Sequence, residues 1–174
     1  MDDQLLEVRN LSVRYRSGKS AVKAVNGLNI HVKRGETLGL VGETGAGKTT
    51  TALSIMNLLP ERTGKITGGE ILYKGKNLLA MPYKHLREIR GREIAMIFQD
   101  PMTSLNPIFS VGAQIGEVLK MHTKASDAEI DQKVCEVLEM VGIPKDRRHD
   151  FPHQFSGGMK QRVVIAMAII CKPE

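Results

Sequence analysis

The sequence predicts an α/β fold, and three observations carry that expectation. Apolar and polar residues alternate with period two in stretches between residues 11 and 32. An apolar run, Leu38, Gly39, Leu40 and Val41, leads straight into GETGAGKTT, residues 42–50, and then into a helical pattern. Beyond residue 110 apolar residues recur at helical spacing. A sheet-forming first part followed by helices points to a mixed, layered domain.

In chain order, Leu11, Val13 and Tyr15 alternate with Ser12 and Arg14, and Leu28, Ile30 and Val32 with Asn29 and His31. A polar outer face at period two suits antiparallel pairing, with RSGKS as a hairpin connection. KRGE turns into the strand expected at 38–41. TTTALSIMNLL follows the glycine-rich stretch with apolar residues at Ala52, Ile55, Met56 and Leu59. PERTGKITGG reads as a polar connection, GEILYKGKNL as a strand turning at Gly75, and KHLREIRG as a short helix stopped by Gly91. EIAMIF reads as a short buried strand ending at Gln99, and QDPMTSLNP breaks the pattern with two prolines. Val111, Ile115, Val118 and Leu119 form one helical stripe. Ser126 with Glu129 has the spacing of a capping box ahead of Ile130, Val134, Leu138 and Val141, and Gly142 and Pro144 end that helix. The expected layout is one domain over 1–174: a β and glycine-loop core over 1–100, a helical subdomain over 101–160, and a last helix over 156–171.

The chain's 174 residues suffice for a real core, and 41% hydrophobic with 25% charged residues is ordinary for a globular protein. The net charge of +6 suits an anionic ligand, but no long basic run or aromatic–basic interleaving points to nucleic acid. Cys135 and Cys171 match no metal spacing and read as free thiols in a reducing compartment. His31, His85, His122, His149 and His153 are scattered and form no metal set. The opening MDDQLLEVRN is acidic and polar, unlike a signal peptide, and no apolar run approaches the ~20 residues of a membrane span. The expectation is a cytosolic protein, or one held at a membrane by a partner.

The chemistry begins at residues 42–50. Gly42, Gly45, Gly47, Lys48 and Thr49 fit G-x-x-x-x-G-K-[ST], the phosphate-binding P-loop pattern. Glycines let backbone N–H groups turn inward into a nest for phosphate oxygens, and the following helix adds its positive end. Lys48 can then reach the β- and γ-phosphates, and Thr49 can offer its hydroxyl to Mg²⁺. A chance glycine-rich turn fits less well, because a strand-like run precedes the loop and a helix follows it.

A second glycine-bearing stretch is FSGGMKQR, residues 155–162. Ser156 is a favoured N-cap, and Gly157 and Gly158 bare the backbone at the positive end of a helix carrying Val163, Val164, Met167 and Ile170. Taken alone, the stretch reads first as the cap of a buried helix and second as another anion site.

The combination is more specific. GETGAGKT, then FQDP, then SGGMKQR, in this order, resembles the nucleotide-binding domain of ABC transporters over essentially the whole chain. FQDPMTSLNP and HQFSGGMKQRVVIAMA resemble the oligopeptide/dipeptide importer subfamily, which also has nickel-type members. Met159, where the ordinary motif has Gln, is typical of that branch. The resemblance implies an ATPase subunit powering import, of di- or oligopeptides ahead of nickel or another small solute. Its partners would be transmembrane permease subunits and a second ATP-binding subunit, alike or different, packed head to tail. It would sit peripherally on the cytoplasmic side of the membrane, with ATP and Mg²⁺ as ligands and no nucleic acid.

Site roles follow from the same resemblance. Tyr15 would stack on adenine. Gly42, Glu43, Thr44, Gly45, Ala46 and Gly47 would wrap the phosphates. Lys48 would neutralise the γ-phosphoryl charge, Thr49 would hold Mg²⁺ and Thr50 the α-phosphate. Gln99 would touch Mg²⁺ or the attacking water, so Lys48 and Gln99 are the catalytic candidates. Ser156, Gly157 and Gly158 would reach the γ-phosphate held by the opposite subunit. Met102, Leu105 and Ile108 either line a groove for a membrane-subunit helix or simply pack. The resemblance also implies later parts, a Walker B strand with its acidic pair and a switch histidine, that these residues do not include. The chain is therefore expected to be part of a longer protein or a truncated one, inactive by itself, with apolar surface exposed on strands beside the missing ones. A nucleotide-binding module without catalysis is the alternative.

Overall fold

The computed structural model describes residues 4–18, 20–100 and 104–174. The chain divides into two compact units, Met1–Leu86 and Arg87–Glu174.

The first unit is built on an antiparallel sheet. Strands β1 (Gln4–Ser17) and β2 (Ser20–Lys33) form the long hairpin that alternation predicts, closing at Ser17 opposite Ser20 with Gly18 at φ 61°. β3 (Gly64–Tyr73) pairs on the other side of β1, and β4 (Lys76–Asn77) returns beside it, giving the order β2-β1-β3-β4. The turn between β3 and β4 is Lys74 and Gly75, both at positive φ (49° and 75°), which matches strand twist in a two-residue hairpin. Val8, Leu11, Val13, Ile71 and Tyr73 are buried, so one face of this sheet supplies the unit's core.

A bulge line crosses the sheet. Asn10 takes a left-handed φ of 48°, and β1 shifts register against both neighbours around it. Gly27 on β2 and Gly69 on β3 meet that irregularity at φ 64° and 90°. The Asn29 side chain accepts from the Asn10 N–H at 2.8 Å, and Ser12 Oγ accepts from the Gly27 N–H at 3.1 Å, so the freed groups stay paired. A Cβ on Gly69 would lie 2.5 Å from the carbonyl oxygens of both Arg9 and Asn10. PERTGKITGG is therefore not wholly a connection: its last part, from Gly64, is β3, because Gly69 lets the strand pass close to the bulge.

The second unit is helical. α3 (Val111–His122) and α4 (Asp127–Met140) carry the expected stripes, and α5 (Gly157–Ile169) closes the core. Val111, Ile115, Leu119, Ile130, Val134, Leu138, Ile143, Phe155 and Val163 form one buried cluster. Ser110 Oγ accepts from the Ala113 N–H, capping α3. At α4 the reciprocal box is complete: Glu129 accepts from the Ser126 N–H at 2.7 Å, and Ser126 Oγ accepts from the Glu129 N–H at 3.4 Å. Those Ser126 donors hold the Glu129 carboxyl below its ordinary range. Gly142 at φ 74° ends α4, and Arg162 of α5 donates to its carbonyl at 3.3 Å. Among the described residues no helix is long and apolar enough to cross a membrane.

Two expected strands are corrected. Residues 38–41 and 93–98 lie outside the named strands; Ile94 makes only an isolated bridge to Arg90. A strand exists through its ladder, and neither segment has one among the described residues. Their apolar side chains are exposed instead: Val41 is 95% exposed, and Leu38, Leu40, Ile97 and Phe98 are also open. The first helix after the glycine-rich loop, α1 (Lys48–Ile55), ends before Leu59, with Asn57 at φ 49°. Residues 83–89 form the short helix α2 (Tyr83–Ile89).

Gly69 offers a stability test. Gly69→Ala should lower the native polypeptide's stability to denaturant by at least ~1–2 kcal/mol, the penalty of a left-handed non-glycine residue before any clash is added. Gly68→Ala, whose Cβ meets nothing within 4 Å, should be near neutral. Equal urea midpoints for the two variants would contradict this account of the bulge.

Candidate functional site

In the first unit the glycine-rich loop runs from Gly42 to the start of α1. Gly45 and Gly47 hold φ values of 86° and 85°, a conformation that L side chains rarely adopt. Gly47 is also sterically bound to glycine, because a Cβ there would come 2.4 Å from the Ala24 carbonyl oxygen and 3.2 Å from Val25 Cγ2. The loop thereby docks against β2 at a fixed point. Gly42 is closely approached too, its Cβ position lying 3.1 Å from Ala46 Cβ.

Lys48 folds back over this loop. Its ammonium donates to the carbonyls of Gly42 at 2.5 Å and Glu43 at 2.7 Å. That leaves a cation at the mouth of the loop. Gly47 is the N-cap of α1, and no side chain caps the helix, so the first-turn N–H groups are left for another acceptor. Thr49 in that turn is exposed, while Thr50 and Thr51 are more enclosed. Thr51 Oγ1 donates to the Gly47 carbonyl at 3.0 Å and Ser54 Oγ to that of Thr50 at 2.7 Å, locking the first turns. A cation beside uncapped N–H groups, with no acidic residue in the first turn, is a site that polyphosphate fits. The exposed hydroxyl of Thr49 fits a hard cation bound to that phosphate.

Tyr15 lies on β1 in the same unit, paired with Val22 on one side and Gly64 on the other. Its ring is half-buried, and a Cβ on Gly64 would come 3.0 Å from Tyr15 Cε1. The glycine thus leaves room for the ring. Val22 opposite it is exposed.

In the second unit Ser156 caps α5, its Oγ accepting from the Met159 N–H at 3.4 Å. Gly157 and Gly158 are exposed and helical, and a Cβ on either would meet nothing within 4 Å. Glycine in a helix costs about 1 kcal/mol relative to alanine. Packing within the chain does not require these two. Gln99 is also in this unit and exposed.

Among the flanking candidates, Leu105 is buried in the helical core and so packs, whereas Ile108 is 72% exposed. Met102 lies outside the described residues. Sequence reasoning missed Gln114, a buried amide on α3 that accepts from the Asn106 N–H at 2.8 Å and donates to the carbonyls of Asn106 and Phe109. It clamps the connection after Gln99. A polar residue beside Val111 and Ile115 was the available signal.

A family model described as ABC transporter matches residues 25–174. Curated relatives include the "Probable peptide ABC transporter ATP-binding protein y4tR" of Sinorhizobium fredii, 51% identical over 99% of this chain and 52% of that protein. The oligopeptide transport ATP-binding protein OppD of Bacillus subtilis is 49% identical over 98% of this chain and 48% of its own length. The chain spans about half the length of the curated relatives it matches. A solved structure of the ATP-binding cassette MJ0796, a post-hydrolysis dimer bound to ADP and Pi, superposes with TM-score 0.85 and 26% identity over 97% of this chain and 70% of that one. With the glycine-rich loop, the serine–glycine helix start and this match over residues 25–174, the chain belongs to the ABC transporter family as one of its ATP-binding domains.

Proposed function

We propose that the protein is the ATP-hydrolysing subunit of an importer of di- or oligopeptides, working on the cytoplasmic face of a membrane with transmembrane permease subunits. One observation carries this reading: two helices begin with glycine-bared backbone, one beside Lys48 and one with Gly157 and Gly158 facing open space. The printed names of the relatives, peptide, oligopeptide and dipeptide transport proteins, point to the cargo.

In this reading the residues divide the work. Tyr15 stacks on the adenine ring. Gly42, Glu43, Thr44, Gly45, Ala46 and Gly47 surround the phosphates mainly through backbone, and Thr50 holds the α-phosphate. Lys48 leaves its two carbonyls and neutralises the charge that develops on the γ-phosphoryl group. Thr49 and Gln99 would hold Mg²⁺, which neutralises charge on the β- and γ-oxygens when bound. Gln99 also orients the attacking water. A second ATP-binding subunit, the same chain or a different one, packs head to tail, so that Ser156, Gly157 and Gly158 meet the γ-phosphate held by the opposite loop. Each subunit then supplies a different half of each site, and ATP itself becomes the joint. The domain layout is a β and loop core over 1–100, a helical subdomain over 101–160 and a phosphate-facing helix over 156–171.

Replacing the loop lysine tests the chemistry. Lys48→Ala should lower ATP turnover by the native polypeptide, assembled with its membrane partners, by roughly 10²–10³-fold or more, the scale of losing one electrostatic partner of the transition state. Turnover at the unsubstituted rate would rule out the assignment. Peptide uptake by reconstituted vesicles should fall in parallel; nickel uptake in place of peptide uptake would redirect the cargo.

The shared site is tested separately. Gly157→Asp adds a carboxylate where a phosphate is received, yet its Cβ is sterically free within the chain. Nucleotide binding to the glycine-rich loop should persist while ATP-driven dimerisation, followed by light scattering in a hydrolysis-deficient background, is lost. Dimerisation as tight as the parent's would mean that residues 156–158 do not contact the nucleotide.

A further inference from the structure

Gly157 and Gly158 have no side chains, and the space where a Cβ would sit is open, yet a phosphate site needs its N–H groups held still. Ser156 contributes a single cap bond, at 3.4 Å. Further restraint can come from outside the turn, and one side chain reaches both of its flanks. Arg147 lies in the 3-10 turn Lys145–His149, ahead of α5 in sequence.

Its guanidinium is engaged on four sides. Nε donates to Asp150 Oδ2 at 2.8 Å, which fixes the plane of the group. Nη2 donates to the Gln154 carbonyl at 3.0 Å, two residues before the cap. Nη1 points at Met159 Sδ at 3.6 Å, three residues after it. The guanidinium carbon stands 4.3 Å from the centroid of the Phe155 ring, and Phe155 is itself part of the helical core. The Arg147 side chain is only 32% exposed. Gln154 is tied in turn, its Oε1 accepting from the Phe151 N–H at 2.7 Å.

We infer that Arg147 is the positioning residue of the 156–158 turn: its planar fork clamps Gln154, Phe155 and Met159 together and so sets the direction of the N–H groups of Gly157 and Gly158. The inference rests on the reading of that turn as a phosphate site. It also gives Met159 a physical reason: a polarizable thioether lets the cation's third face be covered without a competing charge. The geometry demands arginine. Lysine keeps the charge but is a point donor on a flexible stem, and it cannot engage the carboxylate, carbonyl and sulfur at once while standing over a ring.

The test compares Arg147→Lys with its parent and with Gly157→Asp in the native polypeptide carrying a hydrolysis-blocking change. Three quantities are read: the thermal midpoint, nucleotide affinity of the monomer, and the dissociation constant of the ATP-driven dimer. Arg147→Lys should weaken the dimer at least tenfold while monomer nucleotide affinity stays within about twofold of the parent. A residue that merely supports the fold would lower the thermal midpoint and weaken the dimer only in proportion to the unfolded fraction; that result overturns the inference, as does unchanged dimerisation. If Arg147→Lys does not fold, Met159→Leu decides in its place, with a severalfold weaker dimer expected and an unchanged one overturning the proposal. Normal dimerisation of Gly157→Asp would instead defeat the phosphate-site reading itself, whereas loss there with none in Arg147→Lys would defeat only the role of Arg147.

Discussion

The N–H groups in the first turn of an α-helix have no partner inside it, and much of this protein is arranged by how each helix meets that constraint. α3 and α4 meet it internally, with Ser110 on one and the Ser126–Glu129 box on the other. α1 does not: Gly47 is its cap, with no side chain to give. α5 is capped by Ser156 much as α3 is by Ser110, but its first turn then opens Gly157 and Gly158 to solvent. α3, α4 and α5 all pack the core, and the two helices whose starts bare glycine backbone, α1 and α5, carry the nucleotide chemistry we propose. A donor left without an internal acceptor is available to an external one, and a phosphate is the acceptor that a helix start favours most.

Each bared start is held by rigid neighbours. At α1 the restraint is steric: the missing Cβ of Gly47 lets the loop rest on Ala24 and Val25 of β2, and Lys48 ties the loop's own carbonyls. At α5 the restraint is electrostatic and aromatic, through Arg147, Asp150, Phe155 and Met159. The contrast follows from where the glycines lie. In the loop they take left-handed φ and pack closely. At α5 they are helical and unpacked, so a longer side chain has to reach around them.

Local signals were legible where one residue type answers to one geometry. The loop glycines with Lys48, the Ser126–Glu129 box, the Gly75 turn and the long hairpin at 11–32 could all be read from spacing, because each depends on contacts within a few residues. The apolar stripes of α3 and α4 were legible for the same reason. Residues 38–41 and 93–98 look like strands in the sequence because apolar runs report a preference for burial, whereas a strand requires a partner ladder elsewhere in the chain. The start of β3 was hidden by its glycines, which read as a loop; of these Gly69 is required by the bulge at Asn10 and Gly64 by the Tyr15 ring.

The sequence by itself determined the family, the glycine-rich loop with Lys48 and the helix that begins with Ser156, since short fixed spacings encode all three. Only the tertiary structure decided which glycines are sterically obligatory, that Leu105 packs while Ile108 stays open, and that Gln114 and Arg147 brace the segments around the site. Arg147 stands in RRHDF, a charged run with every mark of a solvated surface. What distinguishes it from Arg148 beside it is the direction of one side chain, and that direction is set by a buried phenylalanine and a thioether that come together only when α5 packs.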